Sequence, residues 1–119
     1  MTSPASVFDG HNDVLLRLWG KKEGDPVADF VNGDGAGHLD LPRMIRGGFA
    51  GGFFAIFVPS PKDPDWTDDD DLNPPAAGEV SQTFALAATV SMAALLTRIE
   101  RMAPDRFKIC RSTADIRSA

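Results

Sequence analysis

Apolar residues along the chain come in two kinds of run, short unbroken ones and one long periodic one. The first short run, over residues 5–11, predicts a buried strand that ends at His11. Residues 13–20 ("DVLLRLWG") then read as a turn and a short helix, with Trp19 packing beside the strand. From 20 to 38 the chain is polar and glycine-rich, which predicts an excursion over the surface. "HLDLPRMIRGG" carries the marks of a short helix: Asp40 as N-cap, Pro42 in the first turn, and Gly47 or Gly48 as the stop. Phe53 to Val58 are all apolar and Pro59 closes the run, as expected of a strand buried on both faces of a parallel sheet. Residues 59–78, proline-rich and acidic, read as a loop.

The periodic run spans Glu79 to Met102 and predicts a helix. Val80, Phe84, Ala87, Leu95, Ile99 and Met102 fall on one stripe, widened by Leu86, Val90 and Leu96, and Pro104 ends it. "RFKIC" (106–110) reads as a third strand, ending in a buried Cys110. "RSTADIRSA" opens a last helix with Ser112 or Thr113 as cap and Asp115 in its first turn. Strands alternating with helices define an α/β chain with a parallel sheet. A closed (β/α)8 TIM-type barrel takes about 250 residues. The 119 residues are therefore expected to form the N-terminal part of such a barrel, about two and a half βα units in one domain with no second.

Composition narrows the picture. A hydrophobic share of 43% with 24% charged residues is that of a globular chain. The net charge of -5 and the scattered basic residues exclude a nucleic-acid partner, which requires clustered Lys and Arg. A single cysteine makes no internal disulfide and fits a reducing compartment. "MTSPASVFDG" has neither a basic n-region nor an apolar stretch, and "FALAATVSMAALL" is too short to cross a bilayer. The expectation is a cytoplasmic protein without membrane contact.

Candidate chemistry gathers where the first strand ends. "FDGHND" (8–13) places Asp9, His11, Asn12 and Asp13 together directly after Val7 and Phe8. In parallel α/β folds, functional groups collect at the C-terminal ends of strands. An imidazole and a carboxylate at i, i+2 on an extended segment point to one side and can reach one cation. His11 and Asp13 are thus candidate ligands for Zn²⁺, with Mn²⁺, Co²⁺ or Fe²⁺ as competitors. Two ligands fall short of a catalytic site, which needs at least three and an open position. Asp9 and Asn12 have an alternative reading as turn-formers bonding their own backbone.

"FDGHNDVLLRLWG", followed by "LDLPRMIRGGFAGGFFAIFVPSP", resembles the start of the membrane dipeptidase (renal dipeptidase) family of zinc peptidases. There a strand ends in Asp-Gly-His-Asn-Asp, and a segment opening Asp-Leu-Pro leads into the next strand. Asp40, Leu41, Pro42, Gly48, Gly51, Gly52 and Phe54 of that second segment are kept. The long helix and "FKICRSTADIRSA" match as well, so the likeness spans nearly the whole chain.

The resemblance implies a (β/α)8 barrel with two zinc ions at its C-terminal mouth, to one of which His11 and Asp13 are ligands. A bridging glutamate, two further histidines and a late aspartate that handles the proton all fall outside residues 1–119. No catalytic residue is thus expected within the chain, and no substrate-binding residue is assigned. The implied reaction is hydrolysis of dipeptides, a hydroxide shared by two zincs attacking the peptide carbonyl. The 119-residue chain alone is expected to be inactive.

The remaining features take plainer readings. His38 lies in the surface excursion and is not counted as a ligand. "TDDDD" (67–71) lacks the glycine and spaced glutamate of an EF-hand and reads as a solvated loop. "GDGAG" and "GGFAGG" lack the Walker lysine and read as turn and packing glycines. Phe53, Phe54 and Phe57 are expected in the core, and Cys110 is a packing residue. Other metal-dependent amidohydrolases usually open with His-x-His, which Asp13 disfavours. A non-catalytic fragment, self-associating through open strand edges, is the third reading.

Overall fold

The computed structural model describes residues 5–60 and 78–119. The loop expected over 59–78, Trp66 and the acidic run 67–71 lie wholly or mostly outside the described residues. The described chain runs β1 (Val7–Asn12), α1 (Val14–Trp19), α2 (Pro26–Asn32), α3 (Leu41–Arg46), β2 (Phe49–Phe54), α4 (Gln82–Met102) and α5 (Thr113–Ser118). β1 and β2 pair in parallel, with Val7 opposite Phe49 and Asp9 opposite Gly52. An α/β arrangement around a parallel sheet is therefore observed.

The core lies between α4 and the three short helices. Leu15, Leu18, Val27, Phe30, Met92 and Ile99 are its largest fully buried side chains. α4 presents Ala88, Met92, Leu95 and Ile99 to α1 and α2, one face repeating at three and four residues. That face shares Leu95 and Ile99 with the expected stripe but not the rest of its bulk: Phe84, Leu86, Val90 and Met102 are exposed. Ala88 and Met92, which the expected stripe leaves out, are buried on this face. α4 begins at Gln82 rather than Glu79, because Ser81 caps it by accepting the Phe84 N–H. At 21 residues it is also longer than the segment judged too short for a bilayer, and by length and composition it would suffice to cross one. Its buried face is engaged with α1 and α2.

The supposed surface excursion of 20–38 contains α2, whose Val27, Phe30 and Val31 are buried. Asp25 caps it by accepting the Val27 N–H at 3.0 Å, and Pro26 opens it. α3 stands where expected. Asp40 accepts the Arg43 N–H at 2.8 Å, Pro42 lies in the first turn and Gly47 closes the helix.

β2 occupies 49–54 instead of 53–58. Pairing with β1 sets its limits: the Val7 N–H donates to Gly48 O and the Ala55 N–H to Asn12 O. Phe53 and Phe57 are exposed rather than in the core, while Phe54 packs against it beside Phe49 and Phe107. β1 is mostly exposed too, with Val7 48% and Phe8 57% accessible.

The third strand is not formed among the described residues. The Ile109 N–H donates to Glu100 Oε1 at 2.8 Å and the Arg111 N–H to Asp115 Oδ2 at 2.8 Å, so side chains take donors that a strand would offer a neighbour. Cys110 is an exposed free thiol, not a buried one. α5 is capped by Ser112 as expected. Trp19 meets Phe84 of α4 edge to face.

Candidate metal centre

β1 carries the cluster to the end of the sheet. Its register slips between Asp9, opposite Gly52, and Asn12, opposite Phe54, so three steps on β1 face two on β2. The extra residue makes a bulge that includes His11, and bulges re-aim side chains at strand ends. Asp13 follows as the N-cap residue of α1.

His11 Nε2 stands 3.2 Å from Asp13 Oδ1, and both side chains are more than half exposed. The expected meeting of the two groups is therefore present. Two donors each 2.0–2.2 Å from a tetrahedral zinc lie about 3.3–3.6 Å apart, slightly beyond the hydrogen-bond distance at which the two groups stand. The observed separation and the imidazole–carboxylate donor set therefore fit two of a zinc ion's ligands. Among the described residues no group of three or more His, Cys, Asp or Glu is placed to hold a metal. His38 is exposed, in the loop between α2 and α3.

Asp9 and Asn12 make the turn bonds proposed for them and one more. Asp9 Oδ1 accepts the His11 N–H at 3.3 Å, and Asn12 Oδ1 accepts the Val14 N–H at 3.2 Å. Asn12 Nδ2 also donates to Asp9 Oδ2 at 2.9 Å. The spacing of Asp and Asn signals the two backbone bonds. The link between their side chains depends on the bulge and has no sequence signal.

The glycines beside the cluster are packing residues. A Cβ at Gly52 would lie 2.7 Å from Phe49 Cζ, 3.1 Å from Asp9 Cβ and 3.2 Å from Asp9 O. One at Gly51 would meet the Phe8 ring at 3.1 Å. β2 can thus lie against β1 only where side chains are missing.

The class so defined is an α/β chain with a histidine–carboxylate pair at the C-terminal end of a parallel strand. The family model of membrane dipeptidase (peptidase family M19) matches residues 1–119, and the chain belongs to that family. The crystal structure of dipeptidase AC, a metallopeptidase of family M19, superimposes with a TM-score of 0.79 at 44% identity. The match covers 95% of this chain and 32% of that one. An uncharacterized protein in the PQQ-III 3' region of Acinetobacter calcoaceticus is 57% identical over 53 residues, 44% of this chain and 17% of that protein. The chain thus spans about a third of the length of the solved relative.

Proposed function

We propose that residues 1–119 are the first βα units of a (β/α)8 dipeptidase barrel and supply one wall of its two-zinc centre. The observation that carries this reading is the 3.2 Å approach of His11 Nε2 and Asp13 Oδ1 at the end of β1. Bound zinc would polarise the peptide carbonyl and lower the pKa of water. His11 contributes a neutral nitrogen and Asp13 a hard oxygen, a borderline pair suited to zinc. Their exposure leaves them open to a cation and to further ligands from other strands. Dipeptides are the substrate class the family membership supports, and dipeptidase AC bears that activity in its name. The exposed free thiol of Cys110 suits a reducing, cytoplasmic setting.

Zn²⁺ titration of the 119-residue polypeptide, followed through the ring resonances of its two histidines, tests the assignment. His11 is expected to respond and His38 to stay put, with the His11 response lost in Asp13→Ala. Equal responses from both histidines, or none, would contradict it. With two ligands in hand the polypeptide alone is expected to show no dipeptide turnover, and zinc-dependent turnover would overturn that part of the reading.

A further inference from the structure

Asp13 holds a position where aspartate ordinarily accepts a helix N–H, yet its side chain makes no capping bond. The first donor of α1, the Val14 N–H, goes to Asn12 Oδ1. Asn12 is only 7% exposed, and its other amide atom donates to Asp9 Oδ2 at 2.9 Å. The second oxygen of Asp9 accepts the backbone N–H of His11. Asp9 therefore grips the backbone of one ligand and, through Asn12, the backbone on the far side of the other. The space it occupies exists because Gly52, its partner across the sheet, has no side chain.

We infer that Asp9 and Asn12 are a positioning pair for the His11–Asp13 ligands, holding the bulge so that Nε2 and Oδ1 converge. This rests on the ligand assignment above. The bracket needs one acceptor-only and one donor–acceptor side chain facing each other. Asp9→Asn sets two amides against each other, so one of the bonds to Asn12 or Val14 is lost. Asn12→Asp sets two carboxylates together. The double exchange Asp9→Asn/Asn12→Asp restores every bond with only the link between the two side chains reversed: the amide at 9 donates to the carboxylate at 12 while its oxygen still accepts the His11 N–H, and the carboxylate also accepts the Val14 N–H.

The test is Zn²⁺ affinity read at the His11 ring resonances, with His38 as internal control, in wild type, both single exchanges and the double. Each single exchange is expected to weaken binding about tenfold or more, the range found when groups supporting metal ligands are removed. The double exchange is expected to recover it, a rescue that simple loss of stability does not produce. Should a single exchange unfold the chain, Asp9→Ser keeps an acceptor for the His11 N–H, loses only the link to Asn12, and carries the same expectation. Wild-type binding at His11 that the single exchanges leave unchanged, or that the double fails to recover, overturns the positioning role alone. A wild type with no His11 response overturns the ligand assignment and the positioning role together.

Discussion

Asp40 shows how much one side chain can hold. It is 2% exposed, accepts the Arg43 N–H at 2.8 Å, and takes the Arg43 guanidinium at 2.7 Å. Arg43 reaches on to the carbonyls of Gly37 and Ala36, tying down the loop before α3. Asp40→Ala is expected to cost about 1–2 kcal/mol through the lost cap, read as a drop in urea midpoint. Near the end of α1, Lys21 pairs with Asp29 and with Asp34, the latter at 2.6 Å. The Lys21 ammonium, helped by the Ala36 N–H, lowers the Asp34 carboxyl to about 2. The unfolded carboxyl titrates near 3.8, so the stabilisation is whole above that value and is lost as pH falls towards about 2. Lys21→Met is expected to flatten this acid limb of a stability–pH profile, whereas an unchanged limb would deny the pair its role. Single residues were the most legible level in the sequence. The meeting of His11 with Asp13 follows from their spacing, and the cap at Asp40 from the proline two residues on, each within a few positions. The Asp9–Asn12 link does not, because a bulge in three dimensions creates it.

Elements were legible where one local rule decides them and misplaced where a partner does. α3 and α5 follow from their caps. β2 was placed on the most apolar run, yet hydrogen bonds to β1 draw it back to 49–54, across glycines that allow close approach. α2 was hidden by its glycine-rich flanks, although Asp25, Pro26 and the apolar set Val27, Phe30 and Val31 carry its cap and its period. Apolarity alone predicts the strand at 106–110, but Glu100 takes the Ile109 N–H within it and Asp115 the Arg111 N–H just beyond it. Gly52→Ala tests the packing of β2 on β1. It is expected to destabilise by about 1–3 kcal/mol, as overpacking does. It is also expected to weaken Zn²⁺ binding at His11, because the new methyl presses on Asp9. Unchanged urea midpoint and affinity would show that the two strands have slack.

At the scale of the whole molecule, the helices enclose a core while the sheet does not. Val7, Phe8, Phe53 and Phe57 are exposed on and beside it, Phe8 and Phe53 meeting edge to face 5.4 Å apart. Leu86 and Val90 are exposed on α4. Apolar surface of this kind drives association, so the 119-residue polypeptide alone is expected to sediment as oligomers, and a monodisperse monomer would contradict that. The fold class was legible from the alternation of strands and helices. The exposure of the sheet was not, since apolar composition signals a need for cover without saying what provides it. On the proposed reading, β1 brings a pair of metal ligands to a dipeptidase centre. The most direct measurement is dipeptide hydrolysis by a chimera in which this chain replaces the matching third of dipeptidase AC. The ligand assignment predicts a zinc-dependent enzyme that His11→Ala or Asp13→Ala abolishes without loss of fold. A folded chimera whose turnover is indifferent to both substitutions would contradict it.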